Sequence, residues 1–229
     1  MKATSMRARL RAEMTDEIKA IARRHLATDG ANLSLRAVAR DLGVVSSAIY
    51  RYFPSRDDLL TALILDAYNA LGGSVEAAEG AVDRADLGGR FLAICHAVRD
   101  WALTNPHEYA LIYGSPVPGY AAPTDTVSAA TRAVRVLGGV IEDAARAGLL
   151  RDDDDLPPEA VDDITRIRAT IAPSAPLGVL DRAFGTWLQL FGFVGFELFG
   201  QLDNVVTARA PLFDHQMRAQ AVYIGLPTP

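Results

Sequence analysis

Residues 38–60 place three helix-sized pieces and two turns in a very short stretch of chain. Gly43 can adopt positive φ and so ends the first piece, and Pro54 prevents the second from simply continuing into the third. Serines, an arginine and two tyrosines stand where a packed core would need aliphatic side chains. The segment therefore predicts short, tightly turned helices with a polar outward face.

Capping residues support this division into short helices. Ser34 is suited to begin the first, and the second is expected from Ser46 to Phe53. Ser55, with Asp58 three residues later, is a capping-box start for a longer apolar helix.

The rest of the chain is also helical by the spacing of its apolar residues. A first helix is expected to begin at Thr15 and to stop at Gly30. Further helices are predicted over residues 87–102, 106–113, 124–148, 158–171, 177–200 and 211–223. We find no run of alternating strand residues and no internal repeat, so the predicted fold class is all-α.

Basic residues are concentrated in the N-terminal part of the chain. Residues 1–60 hold 11 Lys and Arg against 7 Asp and Glu, a net +4, whereas residues 61–229 carry a net −9. A positive N-terminal module can approach phosphates while the acidic remainder keeps the protein soluble.

Cysteine use and hydropathy predict a soluble, cytoplasmic protein without a membrane partner. The single cysteine, Cys95, cannot close an internal disulfide, which fits a reducing compartment. The basic N-terminus lacks the apolar stretch of a secretory signal. The most apolar segment, residues 187–200, is shorter than the roughly 20 residues that a membrane span needs.

Two short helices joined by a three-residue turn that contains Gly have the geometry of a helix-turn-helix, whose second helix enters the DNA major groove. Residues 35–53 have that spacing, with Leu42, Val44 and Ile49 placed to lock the two helices together. An ordinary three-helix corner with a solvated polar face is the alternative. The side chains left facing outward are Ser46, Ser47, Ala48, Arg51 and Tyr52, with Tyr50 near the flank.

The stretch "LSLRAVARDLGVVSSAIYRYFPSRDDLLTALI" resembles the N-terminal DNA-binding domain of the TetR/AcrR family of bacterial one-component repressors. The resemblance covers roughly residues 10 to 65. The later "W…G…FELFG" helix and the short terminal helix are similar to the C-terminal ligand-binding and dimerisation domain of one subgroup. The matching residues are Ser34, Val38-Ala39, Leu42-Gly43-Val44, Ile49-Tyr50, Tyr52-Phe53 and Ser55-Arg56-Asp57 before Leu59.

The resemblance implies a role for each matching residue at a DNA interface. Ser34 would hold a phosphate, and Arg36 falls where family members contact bases or the backbone. Base contacts are implied for Ser46, Ser47, Ala48 and Arg51, and phosphate contacts for Tyr50, Tyr52 and Arg56.

This sequence departs from the family at two of these positions. Val45 stands where the family usually has a hydroxyl residue that caps the recognition helix, so Ser46 is open to two roles, as the cap or as a base contact. Tyr52 stands where many members carry His, and its phenol can still donate to a phosphate.

The N-terminal arm adds four basic residues ahead of this segment. It would either track the DNA backbone or minor groove, or be a frayed and solvated terminus. These residues are Lys2, Arg7, Arg9 and Arg11.

A regulator of this type needs two identical DNA-binding domains, one for each half of a palindromic site, and hence a twofold dimer. The helix over 177–200 is apolar nearly all round and needs neighbours on every side. We predict that it pairs with the terminal helix, 211–223, in a four-helix bundle between two copies; a purely internal core helix is the alternative. The predicted interface residues are Leu188, Gly192, Gly195, Phe199, Phe213 and Met217.

A second set of residues suggests a pocket for a small effector. Ligand pockets are apolar with few polar anchors, so the effector is expected to be apolar or aromatic. Each of these residues could equally belong to the core, since aromatics at helical spacing usually do. The candidates are His96, Trp101, Tyr109, Tyr113, Arg135, Phe184 and Trp187.

Together these features predict a ligand-responsive DNA-binding regulator, a repressor that binds a palindromic operator in double-stranded DNA as a homodimer and is released by a small effector. Residues 1–56 would form the DNA-binding domain and residues 57–229 the ligand-binding and dimerisation domain. The rival functions are an architectural DNA-binding protein without inducer and an all-α enzyme. No catalytic motif, cofactor or metal site is predicted, because phosphate-loop, dinucleotide, nucleophile-elbow and His-rich metal patterns are missing from the sequence.

Overall fold

The computed structural model describes residues 2–29, 33–151 and 156–227. Within these residues the chain is built from α-helices with no β-strand, which confirms the predicted all-α class. None of the helices in the described ranges is long and apolar enough to cross a membrane. The helices are α1 (Lys2–Asp29), α2 (Leu35–Asp41), α3 (Ser46–Ile49), α4 (Arg56–Gly80), α5 (Leu87–Thr104), α6 (Pro106–Tyr113), α7 (Thr126–Ala130), α8 (Arg132–Arg146), α9 (Val161–Ile171, preceded by a 3-10 turn at Pro158–Ala160), α10 (Leu177–Leu198) and α11 (Arg209–Ile224).

The helices form two compact units, and the first joins two separate stretches of chain. It contains residues 1–68 and 105–129, whereas the sequence suggested a boundary after residue 56. Its core is made by apolar residues of α1, α2, α3 and the beginning of α4. Val117 and Tyr120 of the later stretch pack against that core, and the Tyr120 hydroxyl lies 2.9 Å from Thr61 Oγ1. The first unit is therefore larger than a three-helix head.

The predicted starts of α2 at Ser34 and of α4 at Ser55 and the predicted turn at Gly43 are confirmed, and the predicted helix stop at Gly30 lies outside the described residues. Ser34 Oγ accepts a bond from the Ala37 amide at the start of α2, and Gly43 has a φ of +73° in the turn after it. Ser55 Oγ accepts from the Asp58 amide at 3.1 Å and donates to the Asp58 carboxylate at 2.7 Å. The first bond satisfies a free amide at the start of α4, and the second links the two side chains.

Helix α1 begins at Lys2, earlier than the predicted start at Thr15. The Thr15 hydroxyl donates to the carbonyl of Arg11 one turn earlier instead of accepting from an amide. A Thr inside a helix satisfies its hydroxyl in this way, so it is not a cap here. The prediction that the helix starts at Thr15 was wrong.

Helix α3 is shorter than the sequence suggested. It ends at Ile49, and the amides of Tyr52 and Phe53 both bond back to the Ile49 carbonyl in a closing turn. Its N-cap is Val45, which makes no side-chain cap bond, and Ser46 is the first helical residue. Ser46 therefore does not take over as the cap.

One predicted helix is broken in two. The helix expected over 124–148 appears as α7 and α8, which are separated at Thr131. The helices expected over 158–171, 177–200 and 211–223 appear with ends shifted by at most a few residues, which is normal for helix boundaries.

The second unit contains residues 69–104 and 130–229. Within it α5 packs on α8, α10 and α11, and α9 packs on α8 and α10. Its interior includes charged groups that are paired. Arg90, which is almost fully buried, donates to Glu79 at 2.6 Å and to Asp143 at 2.9 Å. Nothing in the spacing of these residues signalled this ion pairing.

Candidate nucleic-acid interface

Helices α2 and α3 are held in a fixed relation by apolar contacts with the core of the first unit. Ile49 is buried, and Leu42 and Val44 pack against the same core. The Val44 amide bonds to the Ala39 carbonyl at 3.0 Å across the turn. These contacts hold α3 as a short helix on the surface, as the spacing of the apolar residues predicted.

The outer face of α3 carries small and polar side chains. Ser47, Tyr50 and Arg51 are exposed, and Ser46, Ala48 and Tyr52 are half-buried. A leading turn without bulky groups can enter the major groove, where hydroxyl and guanidinium groups reach base edges or phosphates. This face is accessible in the way that the sequence-based interpretation requires.

Val45 is an exposed apolar residue that the sequence reasoning treated only as a missing cap. It lies directly before α3 with 72% of its surface exposed. An apolar side chain at the tip of a recognition helix can contact the methyl group of thymine. The signal available in the sequence was the lack of a hydroxyl at this position.

A polar surface groove lies beside α3 and collects four predicted DNA contacts. Its volume is about 550 Å³, and it lies between the start of α2 and the turn that joins α3 to α4. Two cations and two hydroxyls in one open groove can bind a phosphate group. The predicted residues that line it are Ser34, Arg36, Tyr50 and Arg56.

The N-terminal arm is helical, and Arg11 contacts the turn after α3. Arg11 Nη2 donates to the Arg51 carbonyl at 3.1 Å, and the Arg11 guanidinium carbon lies 5.3 Å from the centre of the Tyr52 ring. Arg9 forms an ion pair with Glu13. Arg7 is exposed, and the side chain of Lys2 lies outside the described part of the chain. The expectation of a frayed terminus does not fit residues 6–15, which continue α1.

The predicted effector residues divide between the two units. Tyr109 and Tyr113 belong to the first, with ring centres 5.2 Å apart. Burial raises the pKa of Tyr109 to about 12 and also raises the pKa of Tyr113. Both phenols therefore stay protonated at neutral pH.

The remaining candidates lie in the second unit, in different surroundings. His96 Nε2 lies 3.0 Å from Asp214 Oδ1, and Trp101 is buried in the core. Arg135 is exposed. The Arg218 guanidinium, helped by the contact with His96, lowers the pKa of Asp214, which keeps that carboxylate ionised.

Phe184 and Trp187 line a small apolar cavity between α8, α9 and α10. The cavity has a volume of about 40 Å³, whereas pockets for drug-sized ligands are on the order of 300 to 1,000 Å³. A larger effector would need the helices to separate. The other lining residues are Val134, Leu137, Gly138, Ile141, Ile167, Ile171, Leu180 and Ala183.

One face of α10 exposes apolar side chains along its length. Phe184, Leu188, Phe196 and Phe199 are all exposed, at spacings of three, four or eight residues, and therefore share one side of the helix. Gly192 lies on the same face, and an added Cβ there would meet no atom within 4 Å. Gly195 beside it is half-buried. Four of the predicted interface residues, including Leu188 and Phe199, therefore lie on or beside this face.

Phe213 and Met217 are a correction to the predicted dimer interface. Both side chains of α11 are completely buried inside the protomer. Phe213 contacts the rings of His96 and Phe193. A buried side chain offers no surface to a second copy, whereas Val222 and Tyr223 on the same helix are exposed.

Among the described residues no group of three or more His, Cys, Asp or Glu side chains is placed to hold a metal ion. Cys95 is fully buried, and burial raises the pKa of its thiol well above the ordinary value. A thiol in these surroundings remains protonated and unreactive.

Comparison with known proteins identifies the family of both parts of the chain. A family model described as "Bacterial regulatory proteins, tetR family" matches residues 18–63, which contain α2 and α3. A model described as "Tetracyclin repressor-like, C-terminal domain" matches residues 91–220.

Individual relatives align along nearly the whole chain. HTH-type transcriptional regulator Rv1816 of Mycobacterium tuberculosis is 41% identical over 212 residues, which is 91% of each chain, and Mb1846 of Mycobacterium bovis gives the same figures. The crystal structure of regulatory protein SCO4313 is 37% identical with a TM-score of 0.76, covering 93% of this chain and 97% of that one. A tetR-family regulatory protein from Rhodococcus RHA1 has the same coverage and a TM-score of 0.64 at 14% identity, and so shares the fold. Since the C-terminal model covers more than half of the chain and the curated relatives cover nearly all of it, the protein belongs to the TetR family of transcriptional regulators.

Proposed function

We propose that this regulator is a repressor that binds a palindromic operator as a homodimer and releases it when a small apolar or aromatic effector binds. The DNA-binding part of this proposal is supported by one observation. The face of α3 lies beside the groove that is lined by Ser34, Arg36, Tyr50 and Arg56. Base-reading and phosphate-binding groups are then side by side, as they must be on one stretch of duplex.

In this proposal α3 enters the major groove with its N-terminal end leading. Ser46, Ser47, Ala48 and Arg51 face the bases, and Val45 meets a thymine methyl group at the tip. The groove residues and Tyr52 hold the flanking phosphates. The net charge of +4 on residues 1–60 supplies the long-range attraction.

The proposed dimer is formed by the exposed apolar face of α10, with α11 beside it. An exposed patch that contains three phenylalanines and a leucine is unfavourable in water and is typical of an interface. The open space beside Gly192 would admit a close-packed helix of a second copy.

The proposed response to an effector depends on a difference in the affinity of the effector for two conformations of the protein. An effector that binds the second unit better in the conformation with mismatched half-site spacing would shift the protein toward that state and release DNA. The cavity lined by Phe184 and Trp187 is the proposed entry point, because its walls are apolar. A ligand that binds tightly there without changing operator affinity would contradict this coupling.

DNA binding also implies a cytoplasmic location.

The first test is operator selection followed by anisotropy titration over a range of salt concentrations. Genomic fragments that contain a palindrome should be enriched, with affinity that falls steeply as salt rises. Purified protein that ignores every double-stranded fragment at low ionic strength would refute the proposal.

Replacing Arg36 with alanine tests the groove. We expect operator affinity to fall about tenfold, because one charged hydrogen bond to phosphate is lost. The slope of log affinity against log salt concentration should become shallower by about one, because one fewer counterion is released. The loss should be nearly equal on specific and nonspecific DNA. Arg135→Ala is the matched control, since it removes the same charge from an exposed site in the second unit. Equal effects of both changes would show that the groove has no special part in binding.

A further inference from the structure

The recognition helix α3 is short and lacks a side-chain cap at its N-terminus. It comprises four residues, and its N-cap Val45 makes no side-chain bond to the first amides. The first amides of any helix lack intrahelical partners, and a capping side chain normally contributes about 1 kcal/mol by satisfying one of them. A helix this short without a cap depends on contacts from elsewhere to keep its orientation.

Arg11 makes such a contact at the opposite end of α3. Its guanidinium donates to the Arg51 carbonyl at 3.1 Å, in the turn that closes α3. The same guanidinium lies 5.3 Å from the centre of the Tyr52 ring, within the range of a cation–π interaction. One side chain therefore holds the backbone after α3 and the ring that follows it.

The Arg11 contact joins an exposed part of α1 to the turn after α3. All side chains from Met6 to Glu13 are exposed, so this part of α1 is not held by burial of apolar surface. Arg11 and Arg51 are 40 positions apart in sequence, so the bond connects two distant elements.

We propose that Arg11 is a positioning residue for the recognition helix: it fixes the end of α3 and the Tyr52 ring so that Arg51 and Tyr52 meet DNA in one orientation. This rests on the proposed role of α3 in reading DNA. A planar guanidinium can stack on a ring and donate to a carbonyl at the same time, whereas a lysine ammonium cannot match that geometry.

The test compares three variants of the full-length protein: Arg11→Ala, Arg11→Lys and Arg24→Ala. Operator and nonspecific DNA affinities are measured by anisotropy. Arg11→Ala should lower operator affinity about tenfold and reduce the ratio of specific to nonspecific affinity. The operator affinity and the ratio of specific to nonspecific affinity of Arg11→Lys should be close to those of Arg11→Ala. Arg24→Ala removes the same charge from an exposed position later in α1 and should change both affinities by less than about twofold.

The lysine variant separates positioning from direct phosphate contact. If Arg11→Lys binds the operator like the unaltered protein, or if Arg11→Ala leaves the specificity ratio unchanged, the positioning role is overturned. A double-mutant cycle with Tyr52→Leu adds a second criterion. The effect of Arg11→Ala should shrink in the Tyr52→Leu background, because the ring on which it acts is missing.

Hydrogen exchange on the DNA-free protein distinguishes failure of this inference from failure of the proposed function. Arg11→Ala should speed amide exchange at residues 51–53, and Arg24→Ala should not. Unchanged exchange would overturn the positioning role even if DNA binding is normal. Faster exchange in a protein that binds no DNA would uphold the contact and refute the proposed function.

Discussion

Replacing Leu188 with arginine should make the protein monomeric and lower its operator affinity at least 100-fold. Leu188 is 57% exposed in the middle of the apolar face of α10, between Phe184 and Phe196. In a twofold dimer the substitution acts twice, and it places charged groups where the interface must be dry. Two linked heads bind roughly 10² to 10⁴ times more tightly than one, so loss of the dimer removes that factor.

Sedimentation velocity and anisotropy titration of the same preparation measure the two effects. Val205→Arg is the matched control, because Val205 is an even more exposed apolar residue that lies outside α10 and α11. It should remain dimeric and bind the operator normally. If Leu188→Arg stays dimeric at micromolar concentration, the exposed face of α10 is not the interface.

The parts of the fold that could be predicted from sequence are those set by local chemistry. The turn after α2 needs a residue that tolerates positive φ, which Gly43 supplies, and the start of α4 needs a side chain that accepts from a free amide, which Ser55 supplies. Such features depend on residues within a few positions of each other. The outline of the head therefore follows from the order of its residues alone.

Which side of an apolar helix faces the core could not be read in this way. α10 is apolar nearly all round, so its pattern does not separate Leu190 and Val194, which are buried, from Leu188 and Phe196, which are exposed. On α11 the same ambiguity led to Phe213 being placed in the interface. Burial is decided by which helices pack together, and that depends on contacts distant in sequence.

The distribution of the predicted effector residues over two compact units could not be predicted from the sequence for a related reason. Helical spacing placed Tyr109 and Trp101 on the inner faces of neighbouring helices, and both are indeed buried. They belong to different compact units, however, because the chain leaves the second unit after residue 104 and returns at residue 130. A periodic pattern predicts that a side chain is inside, but it does not predict which interior it joins.

Replacing Glu197 with alanine should destabilise the protein by about 3–5 kcal/mol. Glu197 is buried on α10 and accepts two bonds from Arg99 of α5, at 2.6 and 2.8 Å. Removal of the carboxylate leaves the buried Arg99 guanidinium with the exposed carboxylate of Asp100, 4.0 Å away, in place of its close counter-ion, and this loss is the main cost. For a protein of this size the unfolding temperature should fall by roughly 10 °C.

The pair of Glu76 and Arg132 provides the matched control for Glu197→Ala. It has the same two-point geometry, at 3.0 and 2.6 Å, but both side chains are substantially exposed. Water can solvate whichever partner remains, so Glu76→Ala should cost no more than about 1 kcal/mol. Chemical denaturation of both variants measures the difference. Replacing Arg99 and Glu197 together with leucine should recover most of the lost stability, since no buried charge is then left unpaired. Equal losses for Glu197→Ala and Glu76→Ala would mean that burial does not set the strength of these pairs.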